Sequence, residues 1–216
     1  MAAKPPEMHQ AAEARLAESC PLMRRLIRQI GPCTLAPEHK RQPFESLVRA
    51  IAHQQLHARA AEAILARLVN LYPRKFPTAA DILATEEAAI RACGFSLAKI
   101  AALRDIAIHA ENGVIPTRAA IARLSDEEII ARLTRIRGVG QWTVEMLLIF
   151  QLGRPDILPA DDFGIRNGFR VVKKLEALPR PRDVLEYGTR WKPHSTVASW
   201  YLWRAADQSK SKQPRA

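Results

Sequence analysis

LTRIRGVGQWTVEMLLIFQLGRPDILPADDFGIRNGFR, running from Leu133 to Arg170, is the stretch that decides the fold. Leu124, Ile129, Leu133 and Ile136 recur at helical spacing, and Ser125 with Glu128 has the pattern of a capping box. A helix is therefore expected to run from there and to close on Gly138. Gly140 is expected to let the backbone turn tightly into a second helix that opens with Gln141, Trp142 and Thr143. In that second helix Thr143, Leu147 and Phe150 make one apolar stripe, and Trp142 and Met146 share a neighbouring face. Backbone amides at such a turn stand at the positive end of a helix dipole. They form a seat for a phosphate that reads no base sequence. An ordinary glycine turn between two packed helices has the same residues; the flanking Leu, Ile and Thr favour the phosphate seat.

Outward from this stretch, the rest of the chain is helical in pattern. Its 216 residues suffice for one large domain or two lobes. Ala- and Leu-rich segments with a period of 3.6 alternate with short breaks at Gly or Pro, and strand-like alternation is scarce, so roughly ten short helices are expected. Lys and Arg number 33 against 22 acids, a net charge of +11, which points to a polyanionic partner. Cys20, Cys33 and Cys93 are odd in number and far apart, which suits buried thiols in a reducing compartment and not an iron–sulfur cluster. No apolar run reaches the length of a membrane span, and no signal-like segment opens the chain, so a cytoplasmic, nucleoid-associated protein is expected. Residues 1–7 and the basic tail 209–216 are expected to be loose.

Residues 43–72 read as two helices interrupted by the polar run His53-Gln54-Gln55-Leu56-His57. Thr78, Thr85 and Ser96 stand where helix N-caps belong, and Asn112-Gly113 is a helix stop. Residues 165–175 form a helix that is basic on one side, through Arg166, Arg170, Lys173 and Lys174. Trp200 and Trp203, three apart, lie on adjoining parts of one face of a closing helix. No Cys/His cluster suggests zinc and no glycine-rich phosphate loop suggests a nucleotide cofactor.

LTRIRGVGQWTVEMLLIF, followed a couple of dozen residues later by Pro159-Ala160-Asp161-Asp162, resembles the helix–hairpin–helix DNA glycosylases that carry a Gly/Pro-rich loop and a catalytic Asp. Within that superfamily the chain is similar to the 3-methyladenine DNA glycosylase II branch, from about Ser19 to Asp207. The resemblance implies an all-α, two-lobed helical bundle with a helix–hairpin–helix motif and no N-terminal β domain. Residues 1–216 would form one glycosylase domain. A central lobe would span about 40–125, with the hairpin at 125–153, and residues 8–35 would pack with 154–207 as the second lobe.

The chemistry implied is specific. A base within a duplex must be extruded before its glycosidic bond can be cut. The sugar then carries oxocarbenium-like charge, which a nearby carboxylate stabilises while it orients water. At ~4 Å and an effective dielectric of ~20 such a charge pair contributes about 4 kcal/mol before desolvation, or ~10³-fold in rate. The resemblance assigns this role to Asp162, with Asp161 as second choice; Asp161 would otherwise cap the following helix or support its neighbour. Where strand-nicking relatives place a lysine nucleophile this chain has Trp142, so hydrolysis by water without lyase activity is implied. Trp142 and Trp203, with Met146, match the base pocket, where indoles attract a cationic alkylated purine; the lesser alternative for Trp142 is a packed core position.

The DNA-binding residues implied are Gly138, Val139, Gly140 and Thr143 at the hairpin, with Gln55 as the group that fills the gap left by the flipped nucleotide. His57 is a second candidate there, although relatives usually carry a small hydroxyl residue at its position. Lys99 is read as a solvated or phosphate-facing charge. No cofactor is expected, with a monovalent cation at the hairpin carbonyls left open by the resemblance. The partner implied is double-stranded DNA containing alkylated bases, bound by a monomer. Two rival functions fit the same residues: a non-catalytic DNA-binding or damage-sensing module, and a glycosylase for oxidised or mismatched bases.

Overall fold

The computed structural model describes residues 5–73 and 76–211, and among these it contains helices and no strand. In chain order the α-helices are α1 (Pro5–Ser19), α2 (Pro21–Ile30), α3 (Pro43–His53), α4 (Ala58–Asn70), α5 (Ala79–Ala84), α6 (Glu87–Ala92) and α7 (Leu97–Glu111). They continue with α8 (Arg118–Ile121), α9 (Asp126–Leu133), α10 (Gln141–Leu147), α11 (Phe163–Lys173), α12 (Pro181–Gly188) and α13 (Ser195–Ser211). A π turn, Leu148–Leu152, follows α10 directly, and a short 3-10 turn, Thr189–Trp191, follows α12. Two compact units result: Glu38–Leu147, and Met1–Pro37 together with Leu148–Ala216.

The unit Glu38–Leu147 is built around α7, which packs against α3, α5 and α6. Leu47, Val48 and Ile51 of α3 and Ile100, Leu103 and Ile106 of α7 are all buried. Local signals fix the ends of these helices. Thr78 makes a full capping box with Asp81 at the start of α5, and Ser96 accepts the Lys99 amide at the start of α7. Thr85 is a correction: it closes α5, its hydroxyl donating to the Asp81 carbonyl at 2.7 Å, and Glu86 precedes α6. A threonine between two short helices serves either end equally well by sequence, and here the preceding carbonyl takes it.

The other unit pairs α11 with α13 so closely that a Cβ on Gly168 would run into the backbone of Leu202. Helices α1 and α2 pack with each other and against α13. The Tyr201 hydroxyl, from α13, lies against Glu13 and 2.9 Å from the Gly31 carbonyl, while Glu13 accepts the Cys33 amide at 2.6 Å. This buried polar knot satisfies groups that burial would otherwise leave unpaired.

The chain ends correct two expectations. Residues 5–7, expected loose, open α1, where proline is well tolerated. Residues 209–211 of the expected tail continue α13, with the Ser209 hydroxyl bonded back to Ala206 at 2.7 Å. Residues 1–4 and 212–216 lie outside the described residues. No helix among the described residues is long and apolar enough to cross a membrane.

Candidate active site

The hairpin lies within the unit Glu38–Leu147. Ser125 and Glu128 make the reciprocal capping box that opens α9. The helix ends at Leu133, short of the expected stop at Gly138, and residues 134–137 form a tight turn. In that turn the Arg137 amide donates to Asp105 Oδ2 at 2.7 Å. A backbone amide given to an α7 carboxylate is one that no longer propagates α9, which accounts for the early end. Gly138 has φ +78°, and a Cβ there would sit 3.0 Å from Ala102 Cβ and 3.3 Å from Ile51 Cδ1. It is glycine both for its backbone and for want of room. Gly140 differs: it has no left-handed φ, and a Cβ would meet nothing within 4 Å. The tight turn therefore belongs to Gly138, and the small side at Gly140 leaves open space in front of the start of α10.

Val139 and Thr143, both expected to touch DNA, are 3% and 6% exposed. Their side chains belong to the interior, so any contact they make with a phosphate runs through the backbone. Trp142 is 46% exposed, which removes the core alternative for it, and Met146 is half-buried one turn further along. Phe150 leaves the expected Thr143–Leu147 stripe: the chain switches to a π turn at Leu148, and Phe150 becomes exposed.

The polar interruption between α3 and α4 falls beside the hairpin in the same unit. Gln54 donates its side-chain amide to the Gly138 carbonyl at 2.9 Å. Gln55 has φ +57°, a conformation that L-residues other than Asn and Asp rarely hold, and its side chain is exposed. Leu56, absent from the expected set, is 41% exposed beside it. His57 is exposed at the N-cap of α4 without a side-chain cap bond. Lys99 has a partner within the protein: its Nζ donates to the Ala52 carbonyl at 2.8 Å, at the end of α3, and burial pushes its pKa below the usual lysine value. A lysine at a helix C-terminus is favoured there by the last carbonyls and by the dipole.

In the other unit, Asp162 is the N-cap of α11. Its Oδ1 accepts the Ile165 amide at 2.8 Å and the Trp203 indole N–H, also at 2.8 Å. The cap expected of Asp161 thus falls to Asp162, and Asp161 is exposed. Two adjacent acids are equivalent in sequence; the turn closed by the Asp162 amide on the Pro159 carbonyl, 3.0 Å, aims the second one at the helix. Trp203 stacks on Phe150 with ring centroids 5.6 Å apart and planes at 27°. Arg166, on the basic side of α11, donates to the Pro179 carbonyl at 2.8 Å. Gly164 and Phe150 were missed by sequence reasoning: a π turn leaves no mark on apolar periodicity, and a glycine inside a helix gives no hint of which ring crosses it. Among the described residues no group of three or more His, Cys, Asp or Glu is placed to hold a metal ion.

The arrangement offers, in one unit, a half-exposed carboxylate clamped by an amide and an indole, with a second aromatic ring alongside. The other unit offers an exposed indole at a helix start, a glycine turn, and a strained polar loop bonded to that turn.

Residues 48–194 match the model for the HhH-GPD superfamily base excision DNA repair protein. A DNA-3-methyladenine glycosylase of Schizosaccharomyces pombe is 46% identical over 180 residues, covering 82% of this chain and 79% of that protein. Among solved structures, a 3-methyladenine DNA glycosylase of the same yeast in complex with abasic DNA aligns with a TM-score of 0.81 at 43% identity, covering 90% of this chain and 96% of that one. A DNA-3-methyladenine glycosidase from Bacillus halodurans aligns with a TM-score of 0.83 at 31% identity, covering 94% and 93% of the two chains.

Proposed function

The chain belongs to the HhH-GPD superfamily of base excision DNA repair proteins, and from that membership we propose that it is a monofunctional DNA glycosylase releasing alkylated purines from double-stranded DNA. The substrate class is 3-methyladenine first and 7-methylguanine next. The observation that carries the proposal is the Asp162 carboxylate, half-exposed yet fixed by two donors at 2.8 Å, in a chain so similar to glycosylases of that name.

Each part has a task in this scheme. The hairpin amides and the open space at Gly140 hold a phosphate, and Gln55, already in its strained conformation, fills the gap left when the damaged nucleotide swings out. Trp142 offers an indole face to a purine that alkylation has made cationic. That cationic base is a good leaving group. As the bond to the sugar lengthens, the electron pair leaves with the base, and positive charge grows on the sugar. Asp162 stabilises that charge and orients a water molecule, which adds to the anomeric carbon and loses a proton. Trp142 stands where strand-nicking relatives carry an amine, so the product is an abasic site with the strand intact. The partner is alkylated duplex DNA, met by a monomer in the cytoplasm or nucleoid.

Incubation with singly modified duplexes tests the function, with free base and strand breaks scored with and without alkali. Release of 3-methyladenine with breaks only after alkali is expected. Release of no base from any duplex would return the protein to the binding-module alternative, and nicking without alkali would overturn hydrolysis by water.

A further inference from the structure

We infer that Trp203 acts as a positioning residue for Asp162: its indole N–H fixes the plane of the carboxylate, and Gly164 and Phe150 fix the indole. This goes beyond a base-pocket role for Trp203, and it rests on Asp162 being the catalytic carboxylate.

The geometry is over-determined around a single oxygen. Asp162 Oδ1 takes the Ile165 amide and the Trp203 indole together, each at 2.8 Å. The two donors come from different helices: α11, which Asp162 itself caps, and α13, forty-one residues further along the chain. The carboxylate cannot turn about its terminal bond without breaking both. An indole N–H is a donor only, so this bond has one possible sense.

Two further residues hold the indole. A Cβ on Gly164 would lie 2.8 Å from Trp203 Cδ1 and 3.0 Å from Asp162 Oδ1, so only glycine lets the ring edge cross α11 at that point. Glycine is among the weaker helix formers, and the passage of the indole is a specific reason for it here. On the other side Phe150 stacks on the ring, and Phe150 is turned there by the π turn Leu148–Leu152. Such π turns in otherwise α-helical segments frequently mark functional sites. Chemistry that depends on a carboxylate close to developing charge is sensitive to its placement, and a displacement of ~1 Å can cost on the order of a hundredfold.

Two substitutions separate positioning from packing. Trp203→Phe keeps an aromatic ring beside Phe150 and removes the N–H along with the smaller of the two fused rings. Gly164→Ala keeps the indole intact and drives it off Asp162. Single-turnover release of 3-methyladenine, at saturating enzyme, is expected to fall on the order of tenfold to a hundredfold in both. Binding to abasic duplex is expected to stay within about twofold of wild type, an allowance for altered packing. In protein labelled with ¹⁵N in its tryptophan indoles, the Trp203 N–H resonance is expected to move upfield in Asp162→Asn, where a charged acceptor becomes neutral. An unchanged excision rate in Trp203→Phe overturns the inference, as does weaker substrate binding with an unchanged maximal rate, or an indole resonance indifferent to Asp162→Asn. A wild-type protein that releases no base would instead overturn the function on which this rests, and the resonance experiment remains readable in that event.

Discussion

Gln54 reaches from the α3–α4 loop to the hairpin and donates its side-chain amide to the Gly138 carbonyl at 2.9 Å. The loop that carries Gln55, proposed to fill the gap, and the turn proposed to hold a phosphate are therefore one hydrogen-bonded unit. Gln54→Leu is expected to lower stability by about 1 kcal/mol, the net contribution of one such bond. Affinity for abasic duplex should fall with it, because Gln55 loses the neighbour that holds its loop against the hairpin. Denaturant unfolding and fluorescence anisotropy would check the pair; unaltered affinity in a destabilised protein would disconnect the loop from DNA binding.

The two hairpin glycines should behave oppositely. Gly138→Ala meets a left-handed φ and a 3.0 Å approach to Ala102 Cβ, so a loss of stability of more than about 1 kcal/mol is expected. Gly140→Ala meets no protein atom within 4 Å and should leave the melting temperature where it is. Its methyl would stand in the space proposed for the phosphate, so its effect belongs in DNA affinity. A Gly140→Ala protein that binds DNA as well as wild type would remove the phosphate from this turn.

This contrast shows what a sequence can and cannot carry. The hairpin itself was legible: the Ser125–Glu128 box, the buried recurrence at Ile129, Leu133 and Ile136, and the polar break at residues 53–57 are local patterns with local causes. The choice between Gly138 and Gly140 was not, because it depends on where Ala102 and Ile51 lie, far away in the chain. Phe150 kept its place in an apolar stripe until a π turn rotated it out. Lys99 looked like a solvent-facing charge, and only the position of Ala52 makes it a helix cap. Thr85 and Asp161 were ambiguous for a related reason: adjacent residues of equivalent chemistry are separated by backbone direction alone.

The acids at 161 and 162 can be distinguished without disturbing the fold. Asn is as good an N-cap as Asp, so Asp162→Asn should keep the Ile165 bond and its stability within about 0.5 kcal/mol. Base release should nevertheless fall by on the order of 10³-fold, the value of a charge contribution of about 4 kcal/mol. Asp161→Asn, at an exposed position, should alter neither. Single-turnover assays beside chemical denaturation would show this, and full activity in Asp162→Asn would defeat the proposed role.

Lys99 offers a test based on salt. Its Nζ is held by the Ala52 carbonyl at 2.8 Å, so Lys99→Met should destabilise the protein by about 1 kcal/mol. A lysine that met a phosphate would release a counterion, and its loss would reduce the slope of log affinity against log salt by ~0.9. With the Lys99 ammonium held at the end of α3 by the Ala52 carbonyl, the slope is expected to stay at its wild-type value. A slope reduced by that amount would restore Lys99 to the DNA interface.

Cys33 gives the fold a sensitivity to alkali. Burial, first, and the neighbouring Glu13 push its thiol up to about 12, against a smaller opposing effect of the hydrogen bond to Leu35. A thiol in an unfolded chain ionises near ~8.5. Between these values the unfolded protein has released a proton that the native protein still holds, so stability must fall as pH rises through that window and be fully present below it. Tyr201 acts in the same direction, its pKa raised by burial and by the hydrogen bond to Glu13. Cys33→Ala should flatten the decline from pH ~8.5 upward, whereas Tyr201→Phe should flatten it only from pH ~10, where a free phenol ionises. Urea unfolding across pH 7–11 would resolve the two onsets. Cys93, whose thiol burial also pushes up, contributes from the same onset, so the reading is the difference between the two proteins: a decline from pH ~8.5 no shallower in Cys33→Ala than in wild type would mean that the Cys33 thiol ionises as easily in the native protein as in the unfolded chain.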